Sequence, residues 1–210
     1  MKRQSIVMYD TTLRDGAQGE GGSFTGSSKV QLALRLDEYG FTYIEGGYAA
    51  SNERDMAFFH DIRRHKLRQA RIVAFGSTRR VGARAAQDEG LARMLAARTS
   101  TVTIVGKAWK LHVVDVLRTN AAENLAMISE SVRFLKLHGK EVFFDAEHFY
   151  DGYADDPSFA VKTLLAARDA GADGLVLCDT NGGTLPHDIH AVTRAVIAAV
   201  HAPLGIHTHN

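Results

Sequence analysis

Cysteine is almost missing from this sequence. Cys178 is the only one in 210 residues, so no disulfide can form within the chain. An excess of one charge is missing too: Lys plus Arg number 25 against 24 for Asp plus Glu, and no run of like charge is long enough to serve as a nucleic-acid or membrane footprint. No nucleic-acid partner and no membrane are therefore expected. No apolar stretch approaches the roughly 20 residues needed to span a bilayer. The opening Met1-Lys2-Arg3-Gln4-Ser5 leads into a short apolar run ended by Asp10, which is not the apolar segment of a signal peptide. A soluble, cytoplasmic protein is the expectation. A dinucleotide fingerprint is also missing, since the residues after the first apolar run do not read G-x-G-x-x-G.

What is present is a hydrophobic content of 45%, enough for a substantial core, in a length that suits a single domain over residues 1–210. Short runs rich in Val, Ile and Phe recur at 6–9, 41–44, 71–75, 102–105, 142–144, 175–178 and 204–206, and read as buried parallel strands. Between them lie stretches read as crossover helices, with Val30, Leu32, Leu34 and Leu36 in the first and Leu125, Ile128, Val132 and Leu135 in the fourth. Gly40, Gly139 and Gly171 stand where helices should end ahead of strands. A strand every 30 to 40 residues or so is the period of a βα unit, which fits a closed barrel or an open doubly wound sheet. Without the dinucleotide fingerprint, the barrel is favoured.

Polar residues cluster just after the strand ends, at Asp10, Arg14, Asp15, Glu45, Glu147, Asp179, Thr180, His207 and His209, where a barrel keeps its active site. The expected fold is a (β/α)8 TIM barrel truncated after the seventh strand, because the chain stops at Asn210. The ladder edges of its first and seventh strands would then be open, and the isolated 210 residues are expected to aggregate or stay inactive.

His207-Thr208-His209 puts two imidazoles on one face of a strand, where both reach one cation. A solvated pair of histidines reads the same way, but Asp15 offers a carboxylate from the first strand. Two imidazoles and a carboxylate suit Zn²⁺, Mn²⁺, Fe²⁺ or Co²⁺. Arg14 can engage a carboxylate or a developing oxyanion, or form an ordinary ion pair with its neighbour. Glu147 can act as a general base, or sit in water as a loop carboxylate. Thr180 can donate a hydrogen bond to a bound carboxylate within a glycine-bearing turn that is nearly as easily structural. The glycine-dense residues 16–26 lack a phosphate-loop ending and read as a mobile loop through which substrate enters. Cys178 reads as a small buried hydrophobe. Lys107, Lys110, Arg79 and Arg80 are rim candidates for a CoA phosphate, or merely solvated.

Asp10-Thr11-Thr12-Leu13-Arg14-Asp15-Gly16 at the first strand together with His207-x-His209 at the seventh resembles the metal-dependent barrel family of 2-isopropylmalate, homocitrate and citramalate synthases, which also includes hydroxymethylglutaryl-CoA lyase. Residues 43–47, 73–80, 103–109, 145–149 and 177–186 resemble the citramalate synthase branch most. The resemblance implies condensation of acetyl-CoA with pyruvate, thioester hydrolysis, and a place in isoleucine biosynthesis. It implies a divalent metal (Zn, Mn, Mg or Co) on Asp15, His207 and His209, with Arg14 on the reacting oxygens, Thr180 on the 2-oxo acid carboxylate and Glu147 in proton transfer. A fourth ligand, the eighth βα unit and a regulatory domain are expected beyond Asn210, and the full-length protein is expected to be a homodimer acting on small molecules. Tyr48-Ala49 and Thr208 depart from the family's usual residues. The alternatives are a 2-isopropylmalate synthase using 2-oxoisovalerate, a hydroxyacyl-CoA lyase, and a non-catalytic metal-binding barrel.

Overall fold

Seven strands appear in the computed structural model, which describes residues 6–19, 24–49 and 53–209: β1 (Tyr9–Asp10), β2 (Tyr43–Tyr48), β3 (Arg71–Ser77), β4 (Thr101–Lys107), β5 (Glu141–Glu147), β6 (Gly174–Asp179) and β7 (Leu204–Thr208). Their order in the sheet is the order of the chain. The helices between them include α1 (Gly26–Glu38), α2 (Glu53–Ile62), α3 (Glu89–Ala96), α4 (Lys110–Asp115), α5 (Ala121–Leu137), α6 (Phe149–Asp155), α7 (Pro157–Asp169) and α8 (Pro186–Val200). The alternation is the one expected from the apolar runs. The chain divides into two compact units, residues 1–76 with 93–102, and 77–92 with 103–210.

In the first unit, β1 pairs parallel with β2 and β2 with β3, in the register Tyr9↔Tyr43 and Ile44↔Ile72. The first strand is shorter than its apolar run. Ile6, Val7 and Met8 are 87%, 57% and 55% exposed, and regular pairing starts only at Tyr9. Pairing there comes from Thr42 and from Tyr43 of β2, whose N–H groups both donate to the Met8 carbonyl. Helix α1 starts where the Thr25 hydroxyl accepts the Ser28 N–H at 3.2 Å. Its buried stripe is Val30, Ala33 and Asp37 beside Lys29, at helical spacing. Leu32, Leu34 and Leu36 are only partly covered, because a spacing of two cannot hold one face of a helix. The Lys29 ammonium donates to Asp55 at 2.7 Å and to the Gly46 carbonyl at 3.2 Å, while Asp55 also accepts the Tyr48 N–H at 3.1 Å, so the end of β2 is tied to both helices.

In the second unit, β5 pairs parallel with β6 and β6 with β7, in the register Asp145↔Val176 and Cys178↔His207. Asn120 caps α5 by accepting the Glu123 N–H at 3.0 Å, and Asp156 caps α7 ahead of Pro157 by accepting the Phe159 N–H at 3.0 Å. Ile128, Val132 and Leu135 of α5 are fully buried, as are Val142, Phe144, Leu164 and Leu177. Each such side chain contributes about 1.5–3 kcal/mol relative to exposure. The three glycines expected at helix ends have φ of +92° (Gly40), +72° (Gly139) and +99° (Gly171), the left-handed C′ conformation. Among the described residues, no helix is long and apolar enough to cross a membrane.

Asp37 closes the gap between α1 and β3. Its carboxylate accepts the N–H groups of Arg68, Gln69 and Ala70 at 2.6, 3.0 and 2.7 Å. Burial pushes its pKa up, but those three donors outweigh burial and hold it below the usual aspartate value. A depressed folded-state pKa contributes stability that is present above the unfolded value near 3.8 and lost as pH falls through the lower folded value. Asp37→Ala leaves buried donors unmatched and should lower the unfolding free energy by about 2–3 kcal/mol at pH 7. The deficit relative to wild type should shrink in denaturant melts below about pH 4.

Candidate active site

After β1 the chain folds back on itself at once. The N–H groups of Arg14, Asp15 and Gly16 all lie 2.8–3.2 Å from the Thr11 carbonyl, and Asp10 accepts both the N–H and the hydroxyl of Thr12 at 3.0 Å. Leu13, wholly buried, anchors the turn. Arg14 and Asp15 are thereby presented side by side at the strand's C-terminal end. Arg14 donates through Nε to Glu45 Oε2 at 2.6 Å and through Nη1 to Asp15 Oδ1 at 2.8 Å, and its guanidinium lies 4.0 Å from the centre of the Phe75 ring. The Tyr9 hydroxyl donates to the other Glu45 oxygen at 2.8 Å. Glu45 itself is 0% exposed. Burial raises its pKa, and the Arg14 charge, with the hydrogen bonds of Arg14 and Tyr9, offsets only part of that rise. The Arg14–Asp15 pair is half-buried and built into a network, so it is no casual surface pair.

In the second unit, Glu147 ends β5. Its carboxylate takes a short contact from the Lys107 ammonium at the end of β4, and its carbonyl accepts the Ala108 N–H at 3.2 Å. Glu147 is thus a held carboxylate and not a loop group in water. His148 turns the chain into α6 in a left-handed conformation, φ +53°, and its N–H donates to Thr180 Oγ1 at 2.9 Å. Accepting that bond leaves the Thr180 hydroxyl its own hydrogen to donate. His148 Nδ1 sits 3.1 Å from Asp151, to which Asn181 also donates at 3.1 Å. His112 stacks edge-on against His148, ring centres 4.5 Å apart, with Trp109 beside both. Burial, then the neighbouring His148 and Lys107, lower the His112 pKa, which keeps it neutral.

His207 on β7 and His209 just after it face the same way, ring centres 4.7 Å apart. Asp179 fixes this end of the strand. Its carbonyl accepts the N–H of Gly182 at 3.0 Å and of His209 at 3.3 Å, and its carboxylate accepts the Thr184 N–H and hydroxyl at 3.1 and 2.8 Å. Gly182, at φ +66°, lies so close that a Cβ would be 2.8 Å from the His209 carbonyl oxygen.

The expected site residues therefore fall at strand ends in both units, Arg14 and Asp15 in the first and Glu147, Thr180, His207 and His209 in the second. Part of the glycine-dense loop, residues 20–23, lies outside the described residues. The basic rim candidates have mostly found partners. Arg79, 3% exposed, donates to Glu123 and Glu130 at 2.7 and 2.6 Å, Arg80 pairs with Asp88, and Lys110 lies 3.6 Å from Asp156. Sequence reasoning gave Glu45 no role and read Lys107 only as a phosphate candidate. The signal for Glu45 is a carboxylate inside an otherwise apolar strand, which demands a cationic partner.

The profile of the HMGL-like family matches residues 5–210. The chain is 51% identical to the (R)-citramalate synthase of Geobacter sulfurreducens over 98% of its own length and 39% of the relative's. It is 48% identical to the (R)-citramalate synthase of Sulfolobus acidocaldarius over 100% of its length and 40% of the relative's. The chain thus spans about two fifths of the length of these curated relatives. Among solved structures, the hydroxymethylglutaryl-CoA lyase of Pseudomonas aeruginosa superposes with a TM-score of 0.79 at 19% identity, covering 97% of this chain and 68% of that one. At that identity the likeness concerns the fold, a TIM barrel of which seven strands are present here.

Substitutions at two positions test these arrangements. Glu45→Ala strands the Arg14 guanidinium and should cost about 3–5 kcal/mol in chemical denaturation, whereas Glu45→Gln, which keeps an acceptor, should cost less than half of that. Gly182→Ala must displace the carbonyl of His209 and is strained by its φ, so it should lower the unfolding free energy by about 1–3 kcal/mol in chemical denaturation.

Proposed function

Because the chain belongs to the HMGL-like family, we propose that it is the catalytic part of a metal-dependent acyltransferase that condenses acetyl-CoA with pyruvate, giving citramalate and CoA. The observation that carries this reading is the likeness, over nearly the whole chain, to relatives that bear the name of that activity. The side chains supply parts that suit it. Asp15, His207 and His209 are the proposed ligands of a divalent ion. The donor set fits such an ion: two imidazoles share one strand face, and the carboxylate is held in place by Arg14. When bound, the ion supplies Lewis acidity toward the ketone oxygen of a 2-oxo acid.

The remaining work falls to the protein. Glu147 removes a proton from the methyl group of the acetyl thioester, its carboxylate steadied by Lys107. Arg14, fixed by Glu45 and Phe75, meets the negative charge that develops on oxygen as the new carbon–carbon bond forms. Thr180, whose oxygen already accepts the His148 N–H, donates its hydrogen to the 2-oxo acid carboxylate. Water then cleaves the thioester C–S bond, releasing the new hydroxy diacid and the thiol of CoA. The fourth ligand and the remaining barrel strand are proposed to lie in sequence following Asn210.

Thiol release from acetyl-CoA by the full-length protein tests the reading. Pyruvate should be turned over at least tenfold faster than 2-oxoisovalerate, since two extra carbons in a pocket made for a methyl group are worth about 1–3 kcal/mol. Faster turnover of 2-oxoisovalerate would make the protein a 2-isopropylmalate synthase, and cleavage of hydroxymethylglutaryl-CoA without condensation would make it a lyase. Glu147→Gln should lower kcat about 10²-fold or more, and Arg14→Lys about 10²–10³-fold. Asp15→Ala and His209→Ala should weaken metal binding, and unchanged affinity in both would place the ligands elsewhere.

A further inference from the structure

Three successive strands of the second unit each contribute one metal-ligating side chain to a single point. Asp145 stands on β5, Cys178 on β6 and His207 on β7, and a carboxylate oxygen, the Sγ and an imidazole nitrogen all lie within 4.8 Å of one another. Asp145 and Cys178 are 7% and 6% exposed. Cys178 and His207 are register partners across the β6–β7 ladder, so strand pairing, and not a flexible loop, sets their separation. In a tetrahedral zinc site with bonds of about 2.0–2.3 Å, donors stand roughly 3.3–3.8 Å apart, a spacing that donors lying within 4.8 Å of one another already approach.

We propose that Asp145, Cys178 and His207 form a second divalent-metal site, selective for thiophilic ions such as Zn²⁺ or Cd²⁺, and that its occupation inhibits the enzyme by taking His207 away from the catalytic ion. A thiolate with an imidazole and a carboxylate favours Zn²⁺, Cd²⁺ and Co²⁺ over Mg²⁺ and Mn²⁺. The set Asp15, His207 and His209, without sulfur, discriminates much less. On binding, the ion replaces the proton of the Cys178 thiol, which leaves to solvent as a metal–sulfur bond forms; nothing is oxidised or reduced. Neutral His207 has one nitrogen lone pair to give, so it serves one ion at a time. The site itself stands on the three donors of the second unit. Its inhibitory effect also rests on the reading of His207 as a ligand of the catalytic ion.

Cobalt and zinc titrations of the full-length protein test the two parts separately. Co²⁺ should give the near-ultraviolet charge-transfer band of a cobalt–thiolate bond, retained in Asp15→Ala and His209→Ala and abolished in both Cys178→Ser and Cys178→Ala. Asp145→Asn should require at least tenfold more Co²⁺ for the same band. No band in the wild type, or a band surviving loss of Cys178, would overturn the site. With turnover supported by Mn²⁺, Zn²⁺ should inhibit, and the half-inhibiting concentration should rise at least tenfold in Cys178→Ser, each protein being compared with its own Mn²⁺ rate. A cobalt–thiolate band without zinc inhibition would leave the site standing and overturn the sharing of His207. A failed catalytic assignment would show instead as unchanged Mn²⁺ affinity in the Asp15 and His209 variants, with the band unaffected.

Discussion

Parallel pairing is the constraint on which everything else in this chain depends. A parallel ladder fixes which residue of one strand lies beside which residue of the next, and it brings the C-terminal ends of neighbouring strands to the same side. In the first unit this sets Asp10 level with Ile44, just ahead of the turn that carries Arg14 and beside the buried Glu45 that receives it. In the second unit it sets Cys178 level with His207 and carries Glu147, Thr180 and His209 to neighbouring strand ends. The candidate site residues follow from where strands stop and from the short turns just beyond, the one after β1 that carries Arg14 and Asp15 and the one after β6 that carries Thr180.

Placing charges at strand ends has a cost, which the two units meet differently. Glu45 is wholly enclosed, and a lone carboxylate there would be strongly disfavoured, so Arg14 and Tyr9 together occupy both of its oxygens. The result is a guanidinium with little freedom, held further by the face of Phe75. At the end of β5 the pairing is looser in burial: Lys107 and Glu147 retain 22% and 26% exposure of their side chains, and their attraction is correspondingly more screened by water. The rigid pair suits the oxyanion role proposed for Arg14, and the more open pair suits the proton transfer proposed for Glu147.

Much of this was legible in the sequence because period and punctuation are local. Seven apolar runs became seven strands, and the glycines after α1, α5 and α7 took the left-handed conformation that ends a helix. The motif residues fell at strand ends as a barrel requires. What was misread depended on partners that no local pattern reveals. The run 6–9 reads as a full strand, yet pairing begins only at the Met8 carbonyl and the regular strand only at Tyr9. Leu32, Leu34 and Leu36 looked like a core stripe, but the helix turned Val30, Ala33 and Asp37 inward. Glu45 and Lys107 lie within runs that resemble the family, but their pairing emerges only when Arg14 and Glu147 are seen to lean on them. The meeting of Cys178 with Asp145 likewise spans more than thirty residues of sequence, set by two strands and the helices between them.

Asp179 acts as a joint at the end of β6. Through one carbonyl and one carboxylate it fastens both the turn containing Gly182 and the backbone of His209, while the next residue, Thr180, bonds the N–H of His148. On the roles proposed for Thr180 and His209, a ligand on the one and an ion on the other would act on the same few atoms. Order imposed by one is order the other no longer has to impose, and such coupling runs equally in both directions. Acceptor and cation should assist each other's binding through this single aspartate, without any larger movement of the fold.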